Sequence, residues 1–182
     1  MYIESICNDC HRLIANELKF IALHPELLDY VDMKLHIFGK AHIEDAEKGI
    51  VTCQFGERGC EGNRALNCVN KYASSFTESI QVMECLFEIQ RYTGEAIEMC
   101  AAKFGASATE AVACLESDEA NNLLIEAGYS TPPLRWVPSF YTGSGVRVDT
   151  RNLVKDICGS ISGKLPDCCF STKYTVGMDA EL

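Results

Sequence analysis

Hydrophobic and polar positions change period several times along the chain. Residues 2–6, YIESI, are too few for a full strand but β-rich enough for a strand end. From residue 8 to about 23, Leu13, Ile14, Leu18 and Ile21 recur at helical spacing until Pro25 stops the helix. VDMKLHIF then alternates, with Val31, Met33, Leu35 and Ile37 set against Asp32, Lys34 and His36, which predicts a strand closed by Gly39. Between residue 63 and about 128 the pattern predicts several short helices. One, over residues 79–91, is apolar almost all round (Ile80, Val82, Met83, Leu86, Phe87, Ile89) and is expected to be buried. Gly94, Gly105 and Gly128 punctuate the others, with Ser107 or Thr109, and Ser117 with Asp118, as candidate starts. In the tail, WVPSFYTGSGVRV reads as two short strands joined by Gly143-Ser144-Gly145. Asp149 or Thr150 can cap a last helix over Leu153, Val154, Ile157 and Ile161, ended by Gly163 and Pro166.

The order is therefore β-α-β, a helical insertion at about 50–130, then β-β-α. That is the order of an α/β, thioredoxin-like fold, expected here as a single domain over residues 1–182 with an inserted helical subdomain. An apolar share of 47% can fill such a core, and no run of eighteen apolar residues predicts a membrane span. With 16 basic against 26 acidic residues the net charge is −10, which disfavours a nucleic-acid partner because phosphates would be repelled.

Eleven cysteines change this picture most, at positions 7, 10, 53, 60, 68, 85, 100, 114, 158, 168 and 169. That density suits an oxidising compartment. Met1 runs straight into Tyr2-Ile3-Glu4, so a leader removed ahead of Met1 is expected for a protein bound there. No Asn-x-Ser/Thr sequon occurs, and N-glycosylation is not expected.

Cys7-Asn8-Asp9-Cys10 admits three readings: half of a zinc site, a static disulfide, or a redox centre. A zinc site needs companion ligands at tight spacing, and there is no second C-x-x-C. Placed between a strand and the start of a helix that leads to another strand, the motif fits a redox centre best. Free N–H groups and the positive end of the helix dipole would lie beside Cys7 and favour its thiolate. His11 either adds positive charge when protonated or faces solvent, and Asp9 is read as an ordinary acid of a first helical turn.

After the second strand comes CQFGERGCEGNRALNC, carrying Cys53, Gln54, Gly56, Cys60, Asn63 and Cys68. It resembles the signature C-Q-H-G-x-x-E-C-x-x-N-x-x-x-x-C of the gamma-interferon-inducible lysosomal thiol reductase family. YIESICNDCHRLI is similar to that family's reactive strand and helix start, FGKAHI to its Phe/Tyr-Gly-Asn-Ala segment, and WVPSF to its Tyr-Val-Pro-Trp segment. Cys85, Cys100, Cys114, Cys158 and Cys168 fall where the later cysteines of the family are expected. Three positions depart from the pattern: Phe55 for His, Gly59 for Glu, and Ser139 for Trp.

The resemblance implies a thiol reductase that opens protein disulfides by thiol–disulfide exchange, acting at acidic pH. Cys7 would be the nucleophile and Cys10 the resolving cysteine. Pro138 would be a cis-proline facing them, with Val137 and Ser139 beside it on a peptide-binding edge. Cys53, Gln54, Gly56, Cys60, Asn63 and Cys68 are read as structural, bracing the loop of the insertion. Eight cysteines allow about 105 pairings, which the sequence does not choose among, and Cys169 is taken as the odd one, free or competing with Cys168. Partners would be disulfide-bonded proteins or peptides, and a small thiol or upstream reductase as electron donor. No metal or organic cofactor is expected, and the setting would be lysosomal, endosomal or secreted. Two alternatives stay open at this point: a secretory-pathway oxidase or isomerase, and a catalytically weak, disulfide-stapled secreted binding protein.

Overall fold

The computed structural model describes residues 1–148 and 150–170. At its centre β1 (Tyr2–Ile3) runs parallel to β2 (His36–Ile37), with Tyr2 opposite His36 and Ile3 opposite Ile37. On its other edge Tyr2 exchanges both backbone hydrogen bonds with Ser139, at 2.8 and 3.0 Å, in an antiparallel bridge. The tail is thereby laid directly against the strand that leads into the cysteine pair.

The crossover from β1 to β2 is the predicted helix, in three pieces: α1 (Asn8–Leu13), a π-helical turn over Ile14–Leu18, and α2 (Lys19–Leu23). Its apolar stripe, Leu13, Ile14, Leu18 and Ile21, is buried, and Pro25 opens a 3-10 turn where the helix stops. Alternation persists through Val31, Met33 and Leu35, each half-buried, with Asp32 and Lys34 exposed between them, yet only His36 and Ile37 pair as a strand. The expected strand over 31–38 is shorter because its partner β1 spans two residues. A hairpin of β3 (His42–Asp45) and β4 (Ile50–Thr52), bulged between Ile43 and Asp45, was not anticipated by the sequence reading.

Five helices follow: α3 (Gly56–Tyr72), α4 (Phe76–Ile89), α5 (Gly94–Ala102), α6 (Thr109–Leu115) and α7 (Glu119–Tyr129). Ser75 and Thr93 cap α4 and α5 by accepting from Glu78 and Ala96 N–H. α6 starts at Thr109 behind Ala108 without a side-chain cap bond, and α7 starts behind Asp118, with Ser117 Oγ accepting the Glu119 N–H at 3.3 Å. As its pattern predicts, α4 is buried along Ile80, Val82, Met83, Leu86 and Phe87, and it packs on the crossover helix as well as on α3 and α5. One apolar cluster thus runs from Ile3 and Ile14 through Leu66 and Phe87 to Val154.

The tail gives β5 (Phe140–Tyr141) and β6 (Arg147–Val148), antiparallel as expected, then α8 (Leu153–Ser160) and a 3-10 turn over Asp167–Phe170. The candidate cap Asp149 lies outside the described residues. Four disulfides tie the elements together: Cys53–Cys60, Cys68–Cys114, Cys85–Cys100 and Cys158–Cys169. The last corrects one expectation, for Cys169 is bonded and its neighbour Cys168 is the free, buried thiol. The 3-10 turn aims successive side chains in different directions and presents Cys169, not Cys168, to α8. The architecture is mixed α/β and mostly helical, with small sheets, and no described helix is long and apolar enough to cross a membrane.

Candidate active site

The strand before the cysteine pair ends abruptly. Ile6 adopts φ +62°, a left-handed conformation that costs a β-branched residue on the order of 1–3 kcal/mol. The surroundings hold the turn. Ser5 N–H donates to Asn63 Oδ1 at 2.8 Å, Ser5 Oγ donates to the Gly59 carbonyl at 2.8 Å, and Ile6 N–H reaches the Tyr92 hydroxyl at 3.4 Å. Asn63 Nδ2 in turn donates to the Phe38 carbonyl at 3.2 Å, so one buried amide ties β1's end to β2's end. Asn67 repeats the device one helical turn later, donating to the Ile37 carbonyl at 2.7 Å.

The turn delivers Cys7 to the N-cap position of α1, with extended backbone, and its Sγ accepts the Cys10 N–H at 3.3 Å. Cys7 keeps a sliver of exposure, 8%, and Cys10 has none. Both are free thiols. The hydrogen bond from the Cys10 thiol, opposed by burial and helped by the Cys10 N–H, lowers the Cys7 pKa below its ordinary value. Burial pushes the Cys10 thiol well up. The pair is therefore unsymmetrical: the outer sulfur is the easier to ionise and the inner one stays protonated.

Facing them is the Val137–Pro138 bond, which is cis, with the Val137 carbonyl 3.8 Å from Cys7 Sγ. Ser139 is buried, its backbone is committed to Tyr2, and its hydroxyl donates to the Trp136 carbonyl at 2.7 Å. Ser139 accordingly anchors the proline turn from behind. Among the described residues the Val137 backbone makes no backbone–backbone hydrogen bond, and its carbonyl accepts from the Cys7 thiol.

Glu4, three residues before Cys7, was missed by the sequence reading. It is 2% exposed, its Oε2 accepts the Lys40 N–H at 3.1 Å, and its Oε1 is buried with no partner among the described residues. Burial raises its pKa, and its charge raises those of both cysteines. A charged residue within a β-rich run was the available signal.

The second motif lies behind the pair. Cys53 and Cys60 clamp the end of β4 to the first turns of α3, and Cys68 joins α3 to α6. Gly56 starts α3 from φ +65°, which only glycine adopts freely. Gly62 permits α3 to touch the strand end, since a Cβ there would fall 2.4 Å from Ser5 Oγ. Gln54 is exposed on the rim. Two departures from the signature are neighbours in space: a Cβ on Gly59 would meet Phe55 Cβ at 3.1 Å. His11 stacks on Phe87, with centroids 5.7 Å apart, and so is not the freely solvated residue that was one expectation. Asp9 pairs with Arg12 at 2.9 Å on the surface.

A separate group, His24, Glu26 and Cys168, brings three metal-ligating atoms within 4.8 Å of one another. Glu26 is exposed and His24 half-buried, and burial with the neighbouring Glu26 carboxylate pushes the Cys168 thiol up to about 11. Among the described residues neither Cys7 nor Cys10 joins such a group.

Comparison with known proteins identifies a family. A family model described as gamma interferon inducible lysosomal thiol reductase matches residues 1–104, a span that includes Cys7, Cys10 and the whole Cys53–Cys68 motif. A search of curated proteins finds no match.

Proposed function

The chain belongs to the gamma interferon inducible lysosomal thiol reductase family, and from that membership we propose that Cys7 and Cys10 form a redox pair reducing disulfides in other polypeptides. The family is described as a thiol reductase, so the chain is an oxidoreductase at that level. The observation that carries the finer reading is the arrangement of the two free thiols, unequally ionisable, at a helix start opposite a cis Val137–Pro138 bond. The β-α-β order around them, with the tail strand bridged to β1, supports a thioredoxin-like domain interrupted at about 50–130 by the disulfide-braced helices.

In this mechanism the Cys7 thiolate attacks one sulfur of the substrate disulfide. A Cys7–substrate bond forms, and the other substrate sulfur leaves as a thiolate that takes up a proton. Cys10 then loses its proton and attacks Cys7 Sγ, forming the Cys7–Cys10 disulfide and releasing the second substrate thiol. Two electrons have passed to the substrate, and an external thiol or reductase must return the pair to its reduced form. Glu4 is the group assigned to take the Cys10 proton, because its unpartnered Oε1 is buried and its charge bears on both sulfurs. Its raised pKa makes the ionised carboxylate a stronger proton acceptor than an ordinary glutamate. A substrate segment would add to the Val137 edge, with Ser139 holding the turn from behind. The helical braces and the family's lysosomal description fit an endolysosomal or secreted setting.

The test is the rate at which a disulfide-bonded protein is reduced, from pH about 4 to about 8, by the wild type and by Cys7→Ser. The wild type should turn over, and the variant should lose at least ~100-fold. Reduction that continues in the variant would remove the assignment. Net oxidation of a dithiol substrate in a glutathione buffer would favour the oxidase alternative.

A further inference from the structure

The chain carries a net charge of −10, yet the surface running away from the cis proline is cationic. A cleft of about 880 Å³ opens there, walled by Asp9 and Arg12 from the helix start and by Trp136, Pro138 and Arg147 from the tail. Trp136, the chain's single tryptophan, is 41% exposed. The guanidinium carbons of Arg135 and Arg147 stand 5.3 and 4.4 Å from its ring centroid. Each guanidinium thus lies over the indole as a cation over a π face, and neither arginine has a carboxylate partner among the described residues. The two acids that reach the cleft are already engaged: Asp9 pairs with Arg12 at 2.9 Å, and buried Glu17 accepts the Val154 N–H at 3.0 Å. Arg147 and Arg135 are both exposed, so this edge presents positive charge outward.

We propose that this cleft receives the polypeptide flanking the reacting disulfide and selects an acidic side chain there, held by Arg147 beside Trp136. The proposal rests on the reductase reading for what the bound segment is. A segment paired along Val137 carries its cysteine to Cys7 and projects a residue a short distance along the strand toward the indole. A carboxylate at that point can take two N–H donors from one guanidinium, and the same point repels lysine. The charge of the protein as a whole would repel acidic polypeptides, so this local reversal is what admits them.

The fluorescence of Trp136 reports the cleft without any chemistry. The full chain, with Cys7 and Cys10 oxidised to each other so that no exchange occurs, is titrated with short disulfide-looped peptides differing only in a flanking Glu, Gln or Lys. The Glu peptide should bind about tenfold more tightly than the Lys peptide, with Gln between, and the difference should shrink at ~1 M salt. Arg147→Glu, at an exposed position, should reverse the order. Equal affinities, or an order unchanged in Arg147→Glu, would overturn the proposal. Failure of the two readings can be told apart: Cys7-dependent reduction of all three peptides at equal rates removes only the selectivity. Charge-selective binding without Cys7-dependent reduction removes only the reductase.

Discussion

Asn63→Ala is the most informative single perturbation of the scaffold. The amide makes two buried hydrogen bonds across 58 and 25 residues of chain, from Ser5 N–H and to the Phe38 carbonyl. Alanine leaves both backbone groups in place and buried without their partner, at about 1–3 kcal/mol each. A small void adds to this, so the loss should be about 3–5 kcal/mol. With a urea slope near 2 kcal/mol/M for a chain of this size, the midpoint falls by roughly 1.5–2.5 M. Unfolding should be followed without reductant, so that the four disulfides stay closed in both proteins. Because Ser5 also fixes the left-handed turn at Ile6, the variant should lose the lowered pKa of Cys7, measured from the pH dependence of its alkylation. Gln54→Ala is the control, since Gln54 is exposed in the same motif, and it should stay within about 0.5 kcal/mol. A change of under ~0.5 kcal/mol for Asn63→Ala would refute the claim that the second motif supports the strand leading to Cys7.

Other consequences can be measured separately. Cys10→Ala removes the largest influence lowering the Cys7 pKa, so the midpoint of Cys7 alkylation should move to higher pH; an unmoved midpoint would contradict the assigned hydrogen bond. Glu4 has a raised pKa in the fold, so its contribution to stability is fully present below its ordinary 4.5 and is lost as pH rises through the elevated value. Glu4→Gln should flatten that decline in urea midpoint and slow resolution of the mixed disulfide, whereas a parallel decline in both proteins would count against burial as the cause. Replacing Cys68 and Cys114 together by alanine opens a loop of 46 residues and should cost about 4 kcal/mol in a denaturation series, with a cost under ~1 kcal/mol contradicting the bracing role.

How far the sequence revealed this protein varies from element to element. The crossover helix was legible because Leu13, Ile14, Leu18 and Ile21 form a continuous stripe, and the cysteine pair because its context is local. The β3–β4 hairpin was not, since its strands are short and half-exposed and their pattern is interrupted by a bulge. The strand over 31–38 was read too long because alternation records which side faces the core, while pairing depends on a partner that the pattern does not reveal. Glu4 and Ser5 escaped notice for the same reason. Their partners, Lys40, Gly59 and Asn63, are distant in sequence. The choice between Cys168 and Cys169 turns on which side of a 3-10 turn faces α8, a distinction adjacency in sequence does not make.

The account stands most directly on the division of labour between Cys7 and Cys10, and trapping measures it. A disulfide-bonded protein is mixed with the reduced Cys10→Ser variant, quenched with acid, and digested for mass spectrometry. The account predicts a covalent adduct joining substrate to Cys7, absent in Cys7→Ser and resolved in the wild type. An adduct on Cys10 of Cys7→Ser that forms as readily, or none on Cys7 at all, would contradict it.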